Sequence, residues 1–140
     1  MSNDHKKDFL WGYKRAMHDM KRAEEDLEEY RTRILYPTSL YDDMPRGSGE
    51  TLDLSKYMPE IERRRQKCLK RWYVAMKKAD EIKNCIRRLE KEEERDVLHY
   101  RYIMCLGWEE VVEKMNYEER QVYYIHGDAL KNLIIPKRVQ

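Results

Sequence analysis

Apolar positions recur at helical spacing along most of the chain, and no alternating run typical of a strand occurs. From about Asp4 to Tyr36 these positions lie alternately four and three residues apart, which keeps one apolar seam facing a partner helix. The seam consists of Phe9, Tyr13, Ala16, Met20, Ala23, Leu27, Tyr30 and Ile34. Pro37 follows, and a residue before proline is disfavoured in helical dihedrals. The pattern therefore predicts one long helix that ends at Tyr36.

A second long helix is predicted from Pro59, which suits a first helical turn, to about Glu92. Its seam repeats the same spacing at Ile61, Arg65, Cys68, Trp72, Ala75, Ala79, Ile82, Ile86 and Leu89. Residues 37–58 contain two prolines, two glycines and no periodicity, so they are expected to form a loop that lets the helices pair antiparallel. Residues 1–92 are thus predicted to be a coiled-coil-like helical hairpin. Two helices make a thin core, so we expect dimerisation or packing of further helices against the hairpin.

The segment from Glu94 to Leu133 is predicted to form three short helices joined by two tight turns. Its apolar positions are Val97, Leu98, Tyr102 and Cys105, then Val111, Val112 and Met115, then Val122, Ile125, Ala129 and Leu133. Gly107 is expected to precede the second of these helices as its N-cap. Asn116 is expected to follow that helix in the left-handed conformation. The sequence thus predicts an all-α fold in which residues 93–140 form a helix-turn-helix domain.

The runs ERDVLHYRYI, WEEVVEKM and RQVYYIHGDAL in this segment resemble region 4 of bacterial sigma factors. The resemblance is greatest to the sigma-like phage and prophage late-gene activators of the ArpU/RinA type from Gram-positive bacteria, and MPRGSG is similar to the linker of that family. Glu118 stands where such proteins usually place a small hydroxyl residue. The resemblance implies a sequence-specific DNA-binding transcription regulator of late genes, with the recognition helix at about residues 118–133 in the major groove.

The recognition helix should bury Val122, Ile125, Ala129 and Leu133, which turns a different set of side chains outward. The outward residues are Glu119, Arg120, Tyr123, Tyr124, Gly127 and Lys131. By the resemblance, Arg120, Gln121, Tyr123 and Tyr124 match the positions that face the major groove, and we add Lys131 as a candidate DNA contact. Arginine can read guanine and glutamine can pair with adenine, while tyrosine offers a hydroxyl or a ring face. The alternative is that Arg120 pairs with a nearby glutamate and the tyrosines cover the core.

Charge is distributed unevenly along the 140 residues, which carry 29 basic and 27 acidic groups. Residues 59–92 have twelve basic and six acidic groups, whereas residues 93–140 have seven and nine. Since Lys and Arg on phosphates supply much of the affinity for DNA, the acidic head is expected to need help. That help can come from a second subunit in a homodimer, from RNA polymerase, or from the basic helix. The candidate phosphate contacts on that helix are Arg63, Arg64, Lys67, Lys70 and Arg71.

Other classes of function find little support in the sequence. No nucleophile, base and orienting group can be assembled, so neither an enzyme nor a cofactor is expected. Cys68, Cys85 and Cys105 are odd in number and widely spaced, which favours reduced core thiols over a metal site. His126 is interpreted as a surface side chain of the recognition helix. No apolar run approaches the roughly 18 residues of a membrane span, and we expect a cytoplasmic protein of a bacterial host cell that has no membrane partner.

Two alternative functions remain open at the level of sequence. The first is an adaptor that binds RNA polymerase or a sigma factor, which the acidic head would permit. The second is a DNA-packaging protein like the small terminase subunits of phages, in which the hairpin drives oligomerisation. Steep weakening of duplex binding with salt would favour the regulator over the adaptor, because each neutralised phosphate contributes about 0.9 to the logarithmic slope.

Overall fold

The computed structural model describes residues 2–36 and 53–137, and the regular elements of these residues are all helical. The predicted all-α class is confirmed. The helices are α1 (Ser2–Leu10), α2 (Gly12–Leu35), α3 (Met58–Arg87), α4 (Glu92–Leu98), α5 (Trp108–Met115) and α6 (Glu119–Asn132), and α4 continues as a π-helical segment at His99–Ile103. Of the predicted loop 37–58, residues 37–52, with the MPRGSG run, lie outside the described residues.

The predicted first helix is interrupted at Trp11, which corrects the expectation of one unbroken element. The backbone amide of Trp11 still donates to the Lys7 carbonyl at 2.9 Å, and that of Arg15 donates to the Trp11 carbonyl at 3.1 Å. Gly12 lies at the interruption, and a Cβ added there would come within 3.1 Å of Lys78 Cε. Glycine therefore lets the two chain segments approach closely at this point.

Helix α3 ends at Arg87, five residues before the predicted end at Glu92. The next two amides bond three residues back, from Arg88 to Cys85 at 3.3 Å and from Leu89 to Ile86 at 3.0 Å, which tightens the last turn. The Arg95 guanidinium then donates to the Leu89 carbonyl at 2.6 Å. The Arg95 side chain thus replaces the backbone hydrogen bond that the Leu89 carbonyl would accept if α3 continued.

The chain divides into two compact units, one of residues 1–16 and 74–140 and the other of residues 17–73. We call the first the helix-turn-helix unit and the second the hairpin unit. These boundaries differ from the predicted domains 1–92 and 93–140, because α1 and the end of α3 share a core with the C-terminal helices. That core buries Phe9, Leu10, Ile82, Cys85, Ile86, Leu89, Val97, Leu98, Tyr102, Val111, Val122, Ala129, Leu130 and Leu133.

Within the hairpin unit, α2 and α3 run antiparallel, as predicted. Arg64 Nη1 lies 3.0 Å from Asp26 Oδ1, while Lys67 and Arg71 further along α3 share a groove with Asp19, which comes earlier in α2. The seam predicted on α2 is largely correct, since its residues Met20, Ala23, Leu27 and Ile34 are buried. On α3 the prediction is wrong at Arg65 and Trp72, whose side chains are exposed.

Candidate nucleic-acid interface

The helix-turn-helix consists of α5, a tight turn and α6. Gly107 precedes α5 in the extended conformation, and Asn116 follows it at φ 58° and ψ 38° with its amide bonded to the Val112 carbonyl at 3.0 Å. Both turn predictions are therefore confirmed. Glu118 precedes α6 with extended dihedrals, and its side chain makes no capping hydrogen bond. Negative charge in a first helical turn is nevertheless favoured by the helix dipole, and Glu119 also lies there.

The outer side of α6 presents every residue predicted to face a ligand. Arg120, Gln121, Tyr123, Tyr124 and Lys131 are all exposed. The opposite side is buried through Val122, His126, Ala129 and Leu130. No ion pair joins Arg120 to a carboxylate of the described residues, so the alternative of a structural pair with a nearby glutamate is not observed. The guanidinium is left to face solvent on the helix.

The two tyrosines of this surface have different surroundings. The Tyr123 ring packs edge-on against Trp108 with centroids 5.0 Å apart, and its hydroxyl donates to Glu119 Oε1 at 3.1 Å. The alternative interpretation, that a tyrosine covers the core, therefore applies in part to Tyr123, whose ring contacts Trp108. Tyr124 is 65% exposed. We therefore regard Tyr124 as the outward tyrosine and Tyr123 as a residue at the edge of the surface.

His126 is buried on the inner side of α6, so its interpretation as a surface side chain is wrong. Its Nε2 and the Tyr102 hydroxyl form a hydrogen bond of 2.8 Å, and the two rings stack. Burial, assisted by the nearby charges of Lys7 and Arg101, lowers the pKa of His126 from 6.5 to about 4. Burial raises the pKa of Tyr102 to about 12. His126 comes four residues after the buried Val122, and this helical spacing was a signal that it faces the core.

Arg101 of the π-helical segment lies between two indole rings. Its guanidinium carbon is 5.0 Å from the centroid of Trp11 and 4.6 Å from that of Trp108, and its Nη1 donates to the Leu106 carbonyl at 2.9 Å. Trp108 packs against the core. These contacts join the start of α5 to the interruption between α1 and α2. The sequence patterns had not singled out Arg101, because no helical periodicity distinguishes it.

Cys105 occupies the turn before α5 rather than a position in a helix, which corrects the predicted apolar face of the first short helix. Its φ of 57° lies in the left-handed region, where a side chain other than glycine is strained. The cysteines at 68, 85 and 105 are all free thiols. Among residues 2–36 and 53–137 no cluster of His, Cys, Asp and Glu is arranged to hold a metal ion.

Two of the candidate phosphate contacts on α3 are engaged with carboxylates. Arg63 Nη2 lies 2.6 Å from Glu60 Oε1, and Arg64 bonds both Glu60 at 2.9 Å and Asp26 at 3.0 Å. Hydrogen bonds from Arg63 and then Arg64 lower the pKa of Glu60 to about 2. Lys67, Lys70 and Arg71 are exposed. The groove beside Lys67 and Arg71 is also lined by carboxylates, which would oppose a phosphate.

Two further features lie on the outer side of α6. Asp128 is exposed there and adds a negative charge between Tyr124 and Lys131. Gly127 lies inside the helix, and a Cβ added at that position would contact nothing within 4 Å. Glycine inside a helix costs about 0.5–1 kcal/mol relative to alanine. The packing of the described residues gives no reason for that cost.

The fold and this surface define a helical protein with a C-terminal helix-turn-helix. The chain belongs to the family described as Protein of unknown function (DUF1492), whose model matches residues 58–134, more than half of the chain. The match runs from the start of α3 past the end of α6. Neither the curated proteins nor the solved structures include a match to this chain. Within residues 2–36 and 53–137, none of the helices combines the length and the apolar character that a membrane span needs.

Proposed function

We propose that this protein is a sequence-specific DNA-binding transcription regulator that places α6 in the major groove. The observation that carries the proposal is the exposed row of Arg120, Gln121 and Tyr124 on a helix whose other side is anchored in a core. The resemblance of residues 94–133 to region 4 of sigma factors and to phage late-gene activators supports the same function.

The dimensions and chemistry of α6 suit a major groove. Its 14 residues span about 21 Å at about 1.5 Å per residue, and a groove about 12 Å wide admits an α-helix. Arg120 can donate two hydrogen bonds to guanine, and Gln121 can pair with adenine in the same way. Gly127 lies two turns beyond Arg120 on the same side of α6. Glycine is favoured where a ligand approaches a backbone closely, which would account for its cost to the helix.

The net charge of the whole helix-turn-helix unit favours DNA binding more than the net charge of residues 93–140 alone does. Residues 1–16 carry four basic and two acidic groups, and residues 74–92 carry six and four. These segments belong to the same compact unit as residues 93–140, which have seven basic and nine acidic groups. The unit as a whole is therefore basic, and phosphate contacts can come from its other helices.

The proposal predicts that Arg120→Ala weakens binding to the specific site by about 1–3 kcal/mol, because a bidentate contact to a base is lost. Purified protein would first select bound fragments from sheared source DNA at moderate salt, and sequencing would give the site. Fluorescence anisotropy would then measure the affinity of each variant for that duplex. Arg33→Ala is the matched control, since Arg33 is an exposed arginine of α2 that lies in the hairpin unit.

Circular dichroism would establish that the Arg120→Ala protein is folded. Equal affinities of Arg120→Ala and Arg33→Ala for the selected site would contradict the placement of α6 in the groove. If selection enriches no site and the protein is instead retained by RNA polymerase, the regulator proposal fails and the adaptor takes its place.

We further propose that the regulator is a homodimer, in which the exposed apolar side of α3 contacts a second copy. Leu69 and Trp72 are 47% and 51% exposed, and their spacing of three residues puts them on one side of the helix. Trp72→Glu is expected to shift sedimentation equilibrium towards the monomer, because it places a charge in an apolar interface. Leu35→Glu changes a residue of α2 that is 46% exposed, and this variant should have the same molecular mass in solution as the wild-type protein. A dimer that persists in Trp72→Glu would exclude this interface.

A further inference from the structure

Five side chains form a continuous row from α6 to the start of α2, within the helix-turn-helix unit. Tyr123 contacts Trp108 with centroids 5.0 Å apart, and the Arg101 guanidinium lies 4.6 Å from the Trp108 ring. The same guanidinium lies 5.0 Å from the centroid of the Trp11 ring, and Lys14 Nζ also lies 5.0 Å from that centroid. We call Tyr123, Trp108, Arg101, Trp11 and Lys14 the aromatic–cation row.

The cationic side chains near this row differ in the groups that they contact. Lys6 Nζ donates to the Leu130 carbonyl at 2.8 Å, and Arg15 Nη1 lies 3.3 Å from Asp8 Oδ1. Arg101 is half-buried and donates to the Leu106 carbonyl. Lys14 is exposed, and no ion pair joins it to a carboxylate of residues 2–36 or 53–137. No carboxylate of the described residues therefore engages the Lys14 ammonium group at the end of the row.

We propose that Lys14 binds a backbone phosphate of the duplex whose major groove receives α6, so that the N-terminal part of the chain belongs to the DNA interface. This inference rests on the proposed function of α6. The row starts at Tyr123, on the edge of the recognition surface, and ends at Lys14 after four contacts of 5.0 Å or less. Phosphates border the major groove on both sides, and the inference is that Lys14, joined to the edge of α6 by this row, meets one of them.

The aromatic contact explains how Lys14 can be held in place and still bind an anion. A ring face attracts an ammonium group without neutralising it, whereas a carboxylate would compete with the phosphate. The Trp11 ring is itself held between Arg101 and an edge-on contact with Tyr102 at 4.6 Å. A cation beside a fixed ring loses less side-chain freedom on binding than a free lysine does.

The test measures affinity for two duplexes of equal length, the selected site and an unrelated sequence, over a series of salt concentrations. Contacts to phosphate carry no information about the bases, so Lys14→Gln is expected to weaken binding to both duplexes by the same factor, about three- to tenfold. The slope of log affinity against log salt should fall by about 0.9, corresponding to one phosphate. Lys14→Arg should retain the wild-type affinity and slope.

Lys21→Gln is the matched control, because Lys21 is an exposed lysine of α2 that lies in the hairpin unit. It should change neither affinity nor slope. The inference is overturned if Lys14→Gln leaves both unchanged while Arg120→Ala still weakens specific binding, a result that would keep the proposed function intact. It is also overturned if Lys14→Gln affects only the selected site. If the wild-type protein itself bound neither duplex, the proposed function would be rejected, and this inference with it.

Discussion

Leu10→Ala is expected to lower the free energy of unfolding of the helix-turn-helix unit by about 2–5 kcal/mol, the range found when a buried leucine is truncated. Leu10 is fully buried in the core that also contains Leu98, Leu130 and Leu133. Truncation removes apolar contacts and leaves a cavity among residues that lie far from α1 in sequence. Urea unfolding followed by circular dichroism would measure the loss.

Leu35→Ala is the matched control for this experiment. Leu35 is the last residue of α2 and is 46% exposed, so its truncation is expected to cost less than about 0.5 kcal/mol. If Leu10→Ala were as stable as Leu35→Ala, α1 would contribute nothing to the core. The helix-turn-helix would then be stabilised by the C-terminal helices and α3 alone.

The second large effect is a loss of stability in mild acid that originates at His126. Unfolded histidine takes up a proton near pH 6.5, whereas burial keeps folded His126 neutral down to a pKa of about 4. Between these values the unfolded chain binds more protons, so the free energy of unfolding falls as the pH is lowered. The contribution of His126 is fully present above about pH 6.5. Its loss below pH 4 amounts to roughly 3 kcal/mol.

A comparison of variants isolates this contribution from the titration of carboxyl groups. The charges of Lys7 and Arg101 face His126 and add to the penalty for its protonation. His126→Gln is expected to flatten the dependence of stability on pH between 6.5 and 4, when urea unfolding is repeated at each pH. His99→Gln, which changes an exposed histidine, should retain the wild-type dependence. Equal dependence in all three proteins would show that His126 is already accessible to protons in the folded state.

The turn chemistry and the helical phase were accessible from sequence because both act over a few residues. Gly107 and Asn116 lie at the two ends of α5 as predicted, since a helix end requires particular backbone conformations whatever packs around it. The outer side of α6 was likewise predictable. A period of 3.6 residues separates Arg120 and Tyr124 from Val122 and Ala129 without knowledge of any partner.

The contacts within and around these helices depended on partners distant in sequence. The hydrogen bond of buried His126 requires Tyr102, which lies 24 residues away. The ion pair of Arg64 with Asp26 likewise depends on α2, on the other side of the loop. The position of Arg101 between two indoles requires Trp11, which belongs to the other end of the chain.

By itself, the sequence determined the all-α class, the positions of most helices, the turns of the helix-turn-helix and the residues that α6 turns outward. Only the tertiary structure decided that α1 shares the core of the C-terminal helices, and that Lys14 therefore belongs to the same unit as α6. The physical reason is that an amphipathic pattern specifies which side of a helix is apolar. It does not specify which apolar surface covers that side, because burial depends on area and lacks direction.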